Sequence, residues 1–303
     1  MSVTDLTIIL SGIVKLSAPL LFAGLGEYTA ERAGTLNISI EAMMLTGAYC
    51  GMVGASATGS AVLGLPIGIG GGLAVAIVHA NFSHRLAANT FVVGLTLNAL
   101  ALGLTDYLFT SFQLSSHSIT AAKVPLLSHI PVLGPALFDV SWPVYFLFGL
   151  VPAVWWALQR SQWGLEVRAC GENPHAADAT GITVNRRRRQ ALYVCGMLSG
   201  LGGAFLSLGI VGQFNQGMTA GIGYVVIAAV IFGGWTLWGT VLGCVLFGTA
   251  DAMGLVLPAL GHQLNPQLLL ALPYLAALAA MVFLAKSYRA PRALARPFSR
   301  GLA

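Results

Sequence analysis

The chemistry available to this chain lies in a few polar residues set among apolar ones. Asn37, Ser39 and Glu41 fall in "ERAGTLNISIEAMM" (31–44). On a helix Asn37 and Glu41, at i and i+4, share a face that Met44 and Ala48 continue. An ionisable side chain inside a bilayer costs about 2.5–3.5 kcal/mol on insertion scales, so it faces a cavity or a partner. Two readings stay open. Asn37, Ser39 and Glu41 line a solute route or lock a subunit interface, or Glu41 pairs with Arg32 at the membrane edge. A second set, Gly94, Asn98 and Thr105, shares a face at spacings of four and seven. Asn98 is either glue between helices, for about 0.6 kcal/mol, or a contact for a polar solute. Gly94 permits close backbone approach in either case. Phe91 and Phe214 offer ring faces on which a base or sugar could stack. Trp142, Trp155, Trp156, Trp235 and Trp238 fit span-end anchors better.

Other chemistries are missing from the sequence. No G-x-x-x-x-G-K-[ST] occurs, and the Lys286-Ser287 pair follows "AAMVFLA", which lacks the glycines that let backbone N–H groups approach a phosphate. There is no G-x-S-x-G and no H-E-x-x-H, so no nucleophile is nominated and no enzymatic activity is expected. Cys50, Cys170, Cys195 and Cys244 stand alone without metal-ligand spacing, and the expected metal set is none.

The elements that must hold these residues follow from composition. Of 303 residues 56% are hydrophobic and only 8% charged, against roughly 25% charged in an ordinary soluble domain. Apolar runs recur from end to end, so residues 1–303 read as one integral membrane domain. A span needs about 20 mostly apolar residues, a condition met near 7–25, 36–55, 60–80, 88–110, 142–158, 190–212, 239–258 and 267–286. A short stretch, 220–234, is a tight span or a re-entrant segment. The fold class expected is all-α, a polytopic transmembrane helix bundle of about nine spans, eight to ten at the limits. The first run carries Lys15 and has no basic n-region, which reads as a retained span rather than a signal peptide.

Eleven of the fifteen Lys and Arg residues lie in 159–189 or in the tail 287–303 with Lys286. The positive-inside rule puts both regions in the cytoplasm. Counting back, "GEYTAERAG" and "NFSHR" become cytoplasmic loops, the N-terminus is external, and 112–141 is an external loop. The tail arginines anchor the last helix at an anionic leaflet, for about 1 kcal/mol each. The net charge of +5 thus reports membrane topology and lipid contact, with no nucleic-acid partner expected.

Within the cytoplasmic loop, "GENPHAADATGI" (171–182) has its own helix signals. Asn173 is an N-cap, Pro174 suits the first helical position, and Gly181 suits the left-handed position after the last turn. A helix of about two turns is marginal alone in water and needs a surface to hold it.

This stretch, followed by "SGLGGAFLSLG", resembles the coupling loop of membrane permeases of bacterial ABC importers in the ribose and nucleoside (simple sugar) family. "ERAGTLNISIEAMM", "VVGLTLNALALGLTDYL" and "GIGYVVIAAVIFGGW" resemble three further signatures of that family, in family order, from about 24 to 240. The resemblance implies a permease subunit taking up nucleosides or related simple sugars, closest to the nucleoside branch, in a bacterial inner membrane. It implies a second, related permease as heterodimer partner, cytoplasmic ATPase subunits that carry ATP and Mg, and an external substrate-binding lipoprotein or periplasmic protein. Gly171, Glu172, Asn173, Ala176, Ala177, Gly181 and Ile182 would then form the coupling helix seated on the ATPase. Ala42, Ile222 and Trp238 depart from the family pattern, which leaves the solute open. The alternatives are an ion-gradient-driven secondary transporter, which would favour midplane carboxylates and inverted repeats, and an ABC permease for another solute such as branched-chain amino acids.

Overall fold

The computed structural model describes residues 3–112, 114–123, 133–260 and 290–299, with isolated positions between 265 and 278. In chain order the helices are α1 (Val3–Arg32), α2 (Ile40–Thr58), α3 (Ala61–His84) and α4 (Thr90–Ser111). A strand β1 (Ala121–Lys123), a short helix α5 (Leu133–Phe138) and a strand β2 (Asp139–Ser141) follow. Next come α6 (Trp142–Arg160), α7 (Gln162–Glu172), α8 (Pro174–Ala179) and α9 (Val184–Phe205), the last continued by a π-helical turn (Leu206–Val211). The described helices end with α10 (Ile222–Phe232) and α11 (Leu237–Ala259). Among the described residues, six helices are long and apolar enough to cross a membrane: α1, α3, α4, α6, α9 with its π turn, and α11. α10 is a short apolar helix, as the glycines around it suggest. The run 267–286 lies outside the described residues, apart from isolated helical positions.

The long helices bury one another through small residues. α2 sits against α3 and α9, and α1 packs on α9 and α11. At the α3–α9 crossing a Cβ on Gly200 would stand 2.6 Å from the Gly68 carbonyl oxygen and 3.0 Å from Gly72 Cα. Only glycine allows that approach, which is how membrane helices gain van der Waals contact without a hydrophobic driving force. α2 is buried along most of its length, whereas α4 leaves Leu95, Leu100 and Leu102 exposed.

One expectation is corrected. "GEYTAERAG" is no loop: α1 runs unbroken through Arg32, because Glu27 and Glu31 are fully buried and find protein partners instead of water. The helix stops at Gly34 (φ +92°), where Gly34 N–H donates to the Glu31 carbonyl and Thr35 N–H to the Ala30 carbonyl, the Schellman closure. Within 112–141 the described residues include the short helix α5 and two strands. β1 and β2 pair antiparallel, with Ala121 opposite Ser141, a small ribbon beside an otherwise helical fold.

Candidate functional site

Glu41 lies in the first turn of α2, and its carboxylate does not pair with Arg32. Oε1 accepts from the Thr219 hydroxyl (2.6 Å) and the Gly221 N–H (2.8 Å), and Oε2 accepts from the Gly223 N–H (2.7 Å). Those donors are the start of α10, whose N-cap Gly221 (φ +88°) has no side chain to cap it. Glu41 therefore caps a neighbouring helix, with its negative charge at the positive end of that helix's dipole. The fit is tight. A Cβ on Gly223 would sit 2.7–2.8 Å from the Glu41 backbone and Oε2.

α2 is capped from another helix in turn. Its N-cap Ser39 makes no cap bond of its own. Instead Asn98, from the middle of α4, accepts from Ala42 N–H (2.9 Å) and donates to the Ile38 carbonyl (2.9 Å) and the Tyr224 hydroxyl (2.8 Å). Gly94, one turn earlier on α4, makes this contact possible, since a Cβ there would lie 2.7 Å from Ile38 Cβ. Glu41, Asn98 and Tyr224 share the wall of a cleft of about 410 Å³ between α2, α4 and the 217–224 segment, with Leu95 and Leu102 as apolar lining.

Asn37 and Ser39 stand behind this cleft in a buried polar network. Asn37 donates from its backbone N–H (3.2 Å) and its side-chain amide (3.0 Å) to the Glu27 carboxylate, which also accepts from the Cys195 thiol (3.3 Å). The Ser39 hydroxyl donates to Asn37 Oδ1 (2.8 Å) and lies 2.6 Å from His79 Nδ1. On the other side of the ring His79 Nε2 lies 2.9 Å from Thr90 Oγ1, and the Thr90 hydroxyl also reaches the Leu36 carbonyl at 3.3 Å. Glu31, one turn after Glu27, accepts from the Trp235 indole N–H, while its Oε1 is buried with no partner among the described residues.

The other path candidates are elsewhere. Phe214 is core, edge-to-face on Tyr49 and tilted on Phe109 at 5.3 Å each, and Phe91 is half-exposed at the start of α4. Neither lines the cleft. Reading 26–34 as a cytoplasmic loop hid Glu27 and Glu31, and His79, inside the 60–80 run, was not singled out. Glu27 and Glu31 stand one helical turn apart, as Asn37 and Glu41 do, and that spacing was the available signal. Trp235, in the turn after α10, donates its indole N–H to Glu31.

At the opposite end of the polar network, "GENPHAADATGI" forms the expected helix. Asn173 Oδ1 accepts from Ala176 N–H (3.1 Å), and Pro174 takes the first position. Gly181 (φ +89°) closes the helix, with its N–H on the Asp178 carbonyl (2.9 Å) and Ile182 N–H on the Ala177 carbonyl (3.1 Å). The structure divides the seven residues expected to couple by face. Glu172, Asn173, Ala176 and Gly181 are exposed, and Ile182 is half-buried. Ala177 points inward onto Cys170, Val184 and Phe298. Gly171 is buried under the Arg32 carbonyl, where a side chain would collide. Cys170 is sealed in the same packing, and burial pushes its thiol up to about 11.

A helical membrane bundle with a mostly apolar cleft that carries a few polar groups, and a capped helix displayed at one end, has the form of a transport subunit. One solved chain, from "PsaBC from Streptococcus pneumoniae in complex with Fab", shares the fold at a TM-score of 0.53 and 13% identity, over 93% of this chain and 91% of that one. The chain belongs to the family described as "Branched-chain amino acid transport system / permease component", whose model matches residues 9–285. It is 35% identical over 298 residues (91% of each chain) to a putative glucose ABC transporter permease protein of Haloferax volcanii. It is 34% identical over 266 residues (84% of each) to the nucleoside ABC transporter permease protein NupC of Lactococcus lactis subsp. cremoris. A third relative, the guanosine ABC transporter permease protein NupQ of Bacillus subtilis, is 29% identical over 98% of each chain. The chain is thus an ABC transporter permease, a multi-pass transport component and not an enzyme, which sets aside the ion-driven alternative.

Proposed function

We propose that the chain is one of two related permeases in an importer of nucleosides, with simple sugars as the next class of solute. Two of the three relatives above are named for nucleoside or guanosine transport, and one for glucose. The nucleoside reading stands ahead of the family's branched-chain amino acid description on that ground. Bacillus subtilis supplies a second similar guanosine permease, NupP, 26% identical over 258 residues, which supports a heterodimer.

α8 is the coupling helix in this reading, and its geometry is the observation that carries it. A six-residue helix closed at both ends, with Ala176, Ala179 and Gly181 exposed, is a small stiff rod that a partner can seat against without side-chain clash. The ATPase that binds it holds the ATP and Mg, and its closure moves the rod. The coupling end is cytoplasmic and the N-terminus external in an inner membrane. In support, α1 rises about 45 Å over its 30 residues and delivers Arg32 to the α7–α8 end, where the 290–299 segment also lies, an arrangement that fits an odd count of about nine spans. The cleft walled by Glu41, Asn98 and Tyr224 is part of the solute route. Its flank at Leu95 and Leu102 is exposed, and a second permease set against α4 would enclose it. A binding protein delivers solute from the external face.

Reconstitution tests this. Vesicles holding both permeases, the co-purifying ATPase and the binding protein should take up guanosine only with ATP. Uphill uptake by this polypeptide alone would overturn the proposal.

A further inference from the structure

The basic tail does not simply lie along a leaflet. Its described part, 290–299, folds back over the α7–α9 end of the bundle. Ala293 N–H donates to the Gly171 carbonyl (2.9 Å) and Ala295 N–H to the Gly34 carbonyl (3.1 Å). Arg188, whose side chain is wholly buried, clamps the tail from beneath, with Nη1 donating to the Arg296 carbonyl at 2.7 Å and Nε to the Ala33 carbonyl at 3.1 Å. Phe298 is 7% exposed and packs edge-on against His175 of α8 at 5.2 Å, and Asn185 donates to its carbonyl (3.4 Å). A segment held by this many buried bonds is part of the folded body, next to the coupling helix.

Its last turn builds a cleft. Phe298, the Asp178 end of α8 and the first turn of α9 enclose about 340 Å³, with Arg186 and Arg189 on the rim. Arg186 is exposed and Arg189 half-exposed, while Asp178 already has an interaction of its own. With two arginines and one acid among its lining residues, the cleft is net cationic, and it lies at the Asp178 end of α8.

We propose that the tail and the first turn of α9 complete the ATPase-docking surface, and that this cleft receives a carboxylate-bearing segment of the ATPase between Arg186 and Arg189, against the Phe298 wall. The inference rests on the coupling reading of α8 and adds a second contact beside it. Charge complementarity favours an acidic partner here, since pairs of this kind set register and encounter rate as well as affinity. Among the described residues neither arginine is bonded to another element, since Arg189 Nε donates only within α9, to the Asn185 carbonyl (3.3 Å), and the thermal midpoint measured alongside separates docking from folding.

The test uses the intact transporter in nanodiscs, with the ATPase that co-purifies with the wild-type chain titrated back onto stripped permease. The double variant R186E/R189E should weaken ATPase affinity about tenfold or more and flatten its dependence on salt, at unchanged thermal stability. Phe298→Ala should weaken it to a lesser degree. Wild-type affinity in R186E/R189E, with affinity lost in Gly181→Val, would overturn the cleft while leaving the coupling helix standing. Retained affinity in all three variants would overturn both. An effect of R186E/R189E seen only in discs containing anionic lipid would assign the arginines to the membrane and overturn the cleft as an ATPase contact.

Discussion

Replacing Glu41 by glutamine tests whether the cap on α10 holds the cleft together. The carboxylate now accepts from Thr219, Gly221 and Gly223. In Glu41→Gln the carbonyl oxygen can keep the Thr219 and Gly221 donors, but the amide nitrogen then faces the Gly223 N–H at the position where Oε2 accepts at 2.7 Å. One charge-assisted bond, worth about 1.5–3 kcal/mol, becomes a donor-to-donor contact. The loss of charge at a helix N-terminus removes about 0.3–1 kcal/mol more. The expected cost is about 2–4 kcal/mol, which at roughly 2 °C per kcal/mol lowers the thermal midpoint by about 4–8 °C. Since α10, α2 and α4 all meet at this cleft, ATP-driven uptake should fall together with the midpoint. Both are read on one preparation, the first in proteoliposomes and the second by unfolding in detergent. A Gln variant with wild-type midpoint and wild-type uptake would refute the capping argument. Loss of uptake at an unchanged midpoint would refute the energetic half alone and leave Glu41 as a contact for solute.

Gly223→Ala should act on the same joint, because its Cβ would lie 2.7–2.8 Å from Glu41; overpacking of about 1–3 kcal/mol should appear as a lower thermal midpoint without loss of membrane insertion. Asn37→Ala removes the side-chain donor that the fully buried Glu27 accepts at 3.0 Å and should cost about 1–3 kcal/mol or more, measured by the same unfolding assay and by the yield of folded protein. Gly181→Val places a β-branched residue at φ +89°, a strain of about 1–3 kcal/mol, and should abolish ATP-driven uptake and ATPase stimulation while leaving insertion intact. Cys170, with its thiol pushed up to about 11 by burial, should resist iodoacetamide at pH 8, since only the thiolate reacts. Labelling followed by mass spectrometry should show it modified only after denaturation or near pH 11.

What the sequence made legible was whatever depended on local rules. The 173–181 helix is set by residues within a few positions of each other: Asn173 caps Ala176, and Gly181 supplies the left-handed turn. Such signals survive any tertiary context. The long apolar runs likewise mark α1, α3, α4, α6, α9 and α11, because length and hydropathy are themselves local. Glu41 was legible as a residue that needs a partner, but its partners are some 180 positions away, and the nearer Arg32 was the only cation in view. Glu27 and Glu31 were misplaced for the opposite reason. Charge was taken as a sign of water, yet Asn37, Cys195 and Trp235 supply in the interior the donors that water would have given. The tail shows the same limit, since a cluster of basic residues says nothing of the backbone bonds by which Arg188 binds it.

These long-range contacts form one continuous mechanical connection. The tail and Arg188 tie the α7–α8 junction to the carbonyls of Ala33 and Gly34, at the end of α1. Three residues on, Asn37 and Ser39 are fixed to Glu27 and His79, and Ser39 is the N-cap of α2. Asn98 holds the first turn of α2 to α4, and Glu41 in that turn holds α10. In the proposed coupling role, a displacement of α8 would reach the cleft through bonded groups at each step, the 33–39 connection included. Corners are the places where such a displacement can be absorbed, and the 33–39 corner is the one that this chain has locked with buried polar bonds. Loosening it should uncouple. Asn37→Ala in a background stabilised elsewhere should keep ATP hydrolysis while losing transport, whereas a network that served folding alone would lose or keep the two together.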